Sequence, residues 1–366
     1  MHGRPRPPKD FSPPPEVVAA QERKTKLLRN ATSEVLKRRR EKDYSDESLG
    51  LAAKLLSLNP EVYTVWNFRR EALQKVFIDK EKSVDEKRAI SEKELQVSAE
   101  ALKRNPKSYS AWHQRRWVVE KGYTVPRHEL LFVEARLEED ERNFHAWNYR
   151  QFLAAHAGRS PEEELEFSRK KIDQNFSNFS AWHYRTKFLP LVGRAKGTTT
   201  LTQLVEEENK TPKAGIGVGG DLVPVEMLEE EYEIVHSAFV TDSQDSSSWF
   251  YYRWLLGHSI AHCTRPMPTE EKSNAVRRLL EFIDGEKTKL ETEHLSVEPD
   301  AKWPCLAVAW LEEIVAHFAD DGGGGGGNSG GKVVKDIFAK LMGLDVQRKG
   351  FYRHAMNGET SLVISS

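Results

Sequence analysis

The sequence predicts an all-α protein, a right-handed α–α superhelix of stacked helical hairpins, and three observations carry that prediction. The first is a phrase that recurs five times, a tryptophan seven residues after an Asn or Asp and just ahead of an arginine. Its copies are Asn59–Trp66–Arg69, Asn105–Trp112–Arg115, Asp140–Trp147–Arg150, Asn175–Trp182–Arg185 and Asp242–Trp249–Arg253. The second is its period. The tryptophans lie 46, 35, 35 and 67 residues apart, so the unit is about 35 residues, a helix pair too small to bury its own apolar face. The third is the near absence of strand signals: no run of alternating β-branched residues is bounded by tight-turn dipeptides.

Taken in order, residues 1–20 carry six prolines and are expected to form an extended or disordered arm. A helical-hairpin repeat domain follows over 21–319. The first helix of each pair is expected in 45–58, 91–104, 126–139, 160–173 and 225–239. Ser160-Pro161-Glu162-Glu163 supplies an N-cap, a proline at the first helical position and an acid placed for a capping box. Leu130, Val133 and Leu137 show the helical apolar period. The Asn or Asp seven before each tryptophan is read as the N-cap of the second helix, which puts Pro60 and Pro106 at its first position. Tyr63, Tyr109, Phe144 and Phe179 stand three before their tryptophans, on the same helical face.

Two stretches interrupt the pattern. Residues 193–222, rich in Gly, Thr and charge, read as a mobile surface insertion between the fourth and fifth pairs. Residues 320–331, DDGGGGGGNSGG, read as a flexible loop, with a closing helix and tail over 332–366. The stretch around Trp303 looks like a helix of a degenerate sixth pair, although Trp303 lacks the arginine spacing.

Composition limits the function. The 366 residues are 38% hydrophobic and 30% charged with a formal charge of −1, which gives no general electrostatic grip on nucleic acid or anionic membrane. No apolar run is long enough to span a bilayer, and the N-terminus has no apolar signal core. Two cysteines, Cys263 and Cys305, make no disulfide framework. A cytoplasmic location is expected.

The wording NPEVYTVWNFRR, NPKSYSAWHQRRW, ERNFHAWNYRQF, NFSNFSAWHYR and SSSWFYYRWLLG resembles the repeats of protein prenyltransferase α subunits, over roughly residues 45–260. Within that family, the opening Met-His-Gly-Arg, ERNFHAW and WFYYRWLLG are similar to the type II branch, which acts on Rab GTPases. The shared α subunit of farnesyltransferase and the type I enzyme is the sister reading, and a non-catalytic peptide-binding solenoid is the reading from a different class. The fifth copy departs from the others, with Tyr252 at the usual arginine position and Arg253 one later. The leucine-rich and sandwich appendages of animal type II α subunits have no counterpart in the sequence.

The resemblance implies an obligate heterodimer with a β subunit that holds a zinc ion and the isoprenoid pocket. The complex would transfer geranylgeranyl from geranylgeranyl diphosphate to C-terminal cysteines of Rab GTPases presented by an escort protein. This chain should bind no metal itself. Its nearest donor set, His258, His262 and Cys263, places two histidines one helical turn apart without a carboxylate at a fixed spacing. His2, on the arm, is a candidate to reach the partner's zinc. The repeat tryptophans 66, 112, 147, 182 and 249 and the arginines 69, 115, 150, 185 and 253 are expected to be structural. Lys107, Tyr109, Asn143 and His145 match family positions on the diphosphate side of the shared active site. Their chemistry suits that role, because donors beside a departing diphosphate stabilise the charge that develops on it. Phe144 stands where the sister enzyme has tyrosine, so no hydroxyl is carried over there.

Overall fold

The structure is a computed structural model and describes residues 12–194, 199–204, 221–320 and 329–359, without the side chains of 320 and 329–331. Among the described residues every regular element is helical. The chain divides into two compact units, Met1–Glu139 with Asn143–Arg150, and Asp140–Arg142 with Gln151–Ser366.

The first unit holds α1 (Pro15–Arg40), α2 (Asp46–Leu58), α3 (Tyr63–Ile78), α4 (Val84–Arg104), α5 (Tyr109–Val119), α6 (Pro126–Glu139) and the opening of α7 (Phe144–His156). Residues 15–20 are therefore helical rather than extended. Pro14 and Pro15 sit at the N-cap and first helical position, where a missing N–H costs no hydrogen bond. His2 lies outside the described residues.

The second unit holds the end of α7, then α8 (Pro161–Gln174), α9 (Phe179–Val192), α10 (Val225–Thr241), α11 (Ser246–Thr264), α12 (Thr269–Lys289), α13 (Lys302–Asp320), α14 (Ser329–Leu344) and α15 (Lys349–Met356). The closing segment is thus two helices rather than one, and α14 begins inside the stretch expected as a Gly-rich loop. The rest of that loop and residues 360–366 lie outside the described residues. The capping box at Ser160 and Glu163 forms as expected, and Leu130, Val133 and Leu137 are buried.

The Asn or Asp before each tryptophan has a different job from the one expected. Asn59, Asn105, Asn175 and Asp242 close the first helix of their pairs as C-caps. Each then accepts, through Oδ1, the N–H two residues on, at 2.9–3.2 Å, and Asp140 does the same. This Asx turn competes with helix continuation and reverses the chain, so Pro60 and Pro106 sit in the turn. The second helix starts four residues later, capped by Ser108, Asn178 or Asp245 in α5, α9 and α11. The fixed distance to the tryptophan now has a physical cause. The indole N–H donates to the turn carbonyl six residues back: Trp66 to Pro60, Trp112 to Pro106, Trp182 to Phe176 and Trp249 to Ser243, at 2.8–3.0 Å. In the sixth pair Cys305 takes this place, its Sγ meeting the Pro299 carbonyl at 3.5 Å, so Trp303 is not the repeat tryptophan.

Pairs are stacked by a buried carboxylate on each first helix. Glu94, Glu129, Glu164 and Glu231 each stand 18 residues before their tryptophan and are almost fully buried. Arg69 from the preceding pair grips Glu94, Arg115 grips Glu129 and Arg185 grips Glu231, while each arginine's Nη1 reaches a carbonyl of its own pair. Arg150 is buried and pairs with Glu134 at 2.8 Å. From the other side Gln114, Tyr149, Tyr184 and Tyr251, two after each tryptophan, donate to the same carboxylates. Fully hydrogen-bonded, such a charge is tolerated in the core; with one partner removed it is not.

Arg253 is the exception. At the fifth junction Tyr252 donates to Glu286 at 3.0 Å and His236 meets the same carboxylate at 2.8 Å. Arg253, one residue later, is turned about 100° away from the junction. Glu286 stands 19 rather than 18 residues before Cys305, and a π-helical turn, Leu290–Leu295, absorbs the extra residue.

Part of the 193–222 insertion is anchored. Leu201 and Leu204 are each 2% exposed, and the Leu201 N–H donates to the Arg159 carbonyl at 2.8 Å. Two leucines one turn apart bury enough surface to hold this piece. Residues 195–198 and 205–220 lie outside the described residues.

Candidate functional site

The four residues nominated from the sequence converge in the first unit, where the α4–α5 turn meets the start of α7. Asn105 shapes the turn by accepting the Lys107 N–H at 3.2 Å, which leaves the lysine side chain exposed. Ser108 is buried and caps α5 through the Ala111 N–H at 3.3 Å. Tyr109 opens that helix and is 69% exposed.

Asn143 joins the two elements. Its Oδ1 accepts the His145 and Ala146 N–H groups at 3.1 and 3.4 Å, capping α7. Its Nδ2 donates to the Pro106 carbonyl at 3.0 Å, the same oxygen that receives the Trp112 indole at 2.9 Å. The Asn143 amide is therefore committed to backbone, and its effect on a ligand would be exerted through the position of its neighbours.

His145 is buried beside Tyr109, the ring centroids 4.3 Å apart and edge to face, with Phe144 at 3.9 Å on the other side. Burial pushes its pKa below the ordinary imidazole value, against a smaller upward pull from the Lys107 carbonyl, which hydrogen-bonds the ring. The free ring is thus neutral, and its Nε2 is buried without a partner. A buried polar atom left bare is costly and uncommon in native folds. An anion arriving there would favour the protonated ring, turning Nε2 into a donor beside the Tyr109 ring.

Each unit carries exposed aromatic side chains of its own. Tyr63, Tyr109 and Phe144 belong to the first, each between 46% and 69% exposed. In the second, the exposed Phe179 lies edge-on to the exposed Phe250 at 6.2 Å, and Phe250 packs against the buried Trp303 at 5.5 Å. Large apolar side chains left exposed beside one another, as Tyr109 with Phe144 and Phe179 with Phe250, mark an interaction surface.

The histidine pair considered for metal has other work. His258 Nδ1 accepts the Val223 N–H at 3.2 Å, and His262 Nε2 meets the Val223 carbonyl at 2.7 Å. The two rings clamp one residue of backbone at the entrance to α10. Cys263 is buried with its thiol on the Ser259 carbonyl. Among the described residues no His, Cys, Asp and Glu group has the arrangement of a metal site.

Sequence reasoning missed the carboxylate ladder and the capping role of Asn143. The first left a signal, a glutamate at constant distance from four tryptophans. The second did not, because Ser108, Asn143, Asn178 and Asp245 do the same job with different side chains.

Against known proteins, the family profile described as protein prenyltransferase alpha subunit repeat matches residues 45–76, 91–122, 126–157, 161–191 and 228–259. The chain is 30% identical to the geranylgeranyl transferase type-2 subunit alpha of Schizosaccharomyces pombe over 331 residues, 90% of either chain. The chain belongs to the protein prenyltransferase alpha-subunit family. The five matched windows coincide with the five tryptophan pairs, so the repeat seen in the sequence is the family's own.

Two further relatives carry the same type-2 subunit alpha description. The one from Rattus norvegicus is 38% identical over 245 residues, and subunit alpha 1 of Arabidopsis thaliana is 39% identical over 260. These matches cover 66% and 71% of this chain but only 39% and 34% of the relatives' own lengths. A Candida albicans protein geranylgeranyltransferase-I complexed with GGPP shares the fold, with a TM-score of 0.60 at 19% identity over 92% of this chain and 91% of that one. No helix among the described residues is long and apolar enough to cross a membrane.

Proposed function

We propose that this chain is the alpha subunit of a type II protein geranylgeranyltransferase. In complex with a beta subunit it serves the transfer of geranylgeranyl from geranylgeranyl diphosphate to C-terminal cysteine thiols of Rab GTPases, which an escort protein presents in the cytoplasm. The observation that carries the reading is the match to the fission-yeast type-2 subunit along nine tenths of both chains. The sister reading, the shared alpha subunit of the type I and farnesyl enzymes, draws only on a likeness of fold.

The geometry supports a division of labour. His258, His262 and Cys263 are taken up by backbone groups, and the reading assigns zinc to the beta subunit together with the isoprenoid pocket. From this chain Lys107 and Tyr109 face outward as donors, and His145 offers a bare nitrogen beside them. Departure of diphosphate concentrates negative charge on its oxygens, and pre-positioned donors at that place lower the barrier without reorganising. Asn143 holds the start of α7 against the α4–α5 turn and so fixes the spacing of the three. The exposed aromatic rows supply apolar surface for the beta subunit.

A prenylation assay of the purified heterodimer tests the proposal. Rab with its escort should be modified, and a peptide ending in a short C-terminal cysteine motif should not. Modification of the peptide alone would replace this reading with the sister one.

A further inference from the structure

The fifth pair carries its arginine one residue late, and that shift moves a permanent positive charge from the junction to a half-exposed face of α11. Arg69, Arg115 and Arg185 stand three after their tryptophans and are buried against carboxylates. In α11 that position is Tyr252, which is fully buried. Arg253 is half-buried and makes no hydrogen bond and no ion pair among the described residues. Its neighbours are the face of the Trp310 ring, 5.9 Å from the guanidinium, and the more remote charge of Glu313. Partial burial without a bonded acceptor draws its pKa below the usual guanidinium value.

The surface around Arg253 is apolar. Phe250, Trp254, Gly257 and Ala261 recur at helical spacing along one side of α11 and, with Arg253, His258 and Leu222, line an open hollow of about 470 Å³. Trp254 stacks on Tyr251 at 5.4 Å and meets His258 edge-on at 4.3 Å. The opposite side of α11 is already packed, with Trp249, Tyr252, Leu255, Leu256, Ile260 and Cys263 all buried. A helix apolar on both sides is one that is covered on both sides in its working state. Phe250 also belongs to the aromatic row of the second unit, so the bare face continues the surface assigned to the beta subunit.

We infer that Arg253 is a partner-recognition residue: the face of α11 bearing Phe250, Arg253 and Trp254 docks on the beta subunit, and the guanidinium receives an acidic side chain of that subunit. This rests on the proposed function, because the occupant is the beta subunit named there. The occupant's chemistry follows from the site. One permanent cation with a fork of N–H donors, set among apolar side chains and without a bonded anion among the described residues, fits a carboxylate carried on an apolar surface. Tyr252 makes the exchange possible by bonding Glu286 in the arginine's place.

The experiment measures dissociation of the purified heterodimer for wild type, Arg253→Ala and Arg253→Lys, with thermal unfolding of the full chain in parallel. Arg253→Ala should speed dissociation on the order of 10²-fold, the range for truncating one member of a buried interfacial charge pair. Arg253→Lys should fall between, since it keeps charge but loses the fork. Neutralising the beta subunit's acidic residues one at a time should find one whose effect disappears in the Arg253→Ala background. A wild-type dissociation rate for Arg253→Ala, in a heterodimer that otherwise forms normally, overturns the inference and leaves the proposed function standing. Loss of the full chain's own thermal stability at an unchanged dissociation rate also overturns it, by assigning Arg253 to the fold. Failure of the wild-type chain to form a heterodimer would sink both.

Discussion

Arg115 and Glu129 meet through two parallel hydrogen bonds, Nε to Oε2 at 2.6 Å and Nη2 to Oε1 at 2.7 Å, with each side chain 4% exposed. The Tyr149 hydroxyl adds a third donor to the same carboxylate at 2.5 Å. A charge this deep is stable only while its partners remain. Glu129→Gln should therefore cost roughly 3–5 kcal/mol by stranding the guanidinium. Replacing both residues by apolar ones of similar volume should restore much of that loss. Chemical denaturation of the single and double variants measures it, and a Glu129→Gln protein of wild-type stability would show that water reaches the pair.

Lys107 and Trp112 are five residues apart and should fail in opposite ways. Lys107 is exposed, and its N–H is held by Asn105 Oδ1. If it meets the diphosphate as charge develops, Lys107→Ala should slow the chemical step by up to ~10²-fold while isoprenoid binding changes far less. Trp112 is 5% exposed and bonds the Pro106 carbonyl. Its truncation should cost ~3–5 kcal/mol as lost core and reduce the yield of folded heterodimer. Single-turnover rates on both variants decide it. A Lys107→Ala enzyme with a wild-type chemical rate would make the lysine a solvated surface residue.

How much of this was legible in the sequence depends on whether one residue type does one job. The tryptophans were readable because only a large ring with an N–H fills the junction and reaches the turn. Asn59 and its counterparts were misassigned because Asn and Asp suit both ends of a helix, and Pro60 and Pro106 fit either placement. Arg253 was misread for a different reason. The spacing after Trp249 tolerated a one-residue slip, which on a helix turns the side chain about 100° away from the junction. The convergence of Lys107, Tyr109 and His145 was not derivable from spacing. It depends on Asn143 bonding Pro106 across 37 residues, and in the sequence only the resemblance to the family's wording points to these four residues.

Asn143 offers a test of positioning against direct contact. Asn143→Asp keeps the oxygen that caps α7 and loses the donor to Pro106, whereas Asn143→Ala loses both. Asn143→Ala should cost about 1 kcal/mol from the cap alone, and somewhat more from the lost bond to the Pro106 carbonyl, which then keeps only the Trp112 indole. Both variants should lower the rate by letting His145 drift from Lys107, with Asn143→Asp the more stable of the two. The expectation fails if Asn143→Asp slows the reaction while the His145 ring resonance stays where it is in wild type, since that pattern belongs to a residue touching substrate.

The histidine clamp on Val223 makes stability depend on pH in a defined direction. His258 accepts the Val223 N–H through Nδ1 at 3.2 Å, so the ring must be neutral there. Burial, helped by the nearby His262, lowers its pKa from the ordinary 6.5 to about 4. The unfolded chain therefore binds this proton more readily than the folded one, and stability falls as the proton is taken up. The contribution should be complete above about pH 6.5, decline as the pH drops towards 4, and level off below that. His258→Asn leaves an acceptor close to the place of Nδ1 and cannot titrate in this range, so it should remove this part of the slope. Thermal midpoints of wild type and variant across pH 7.5 to 4.5, about the span of the shift, isolate the effect as a difference curve. Wild type should lose ground to His258→Asn on acidification. If it gains instead, the folded ring is binding the proton, and the hydrogen bond from Val223 cannot be what holds it.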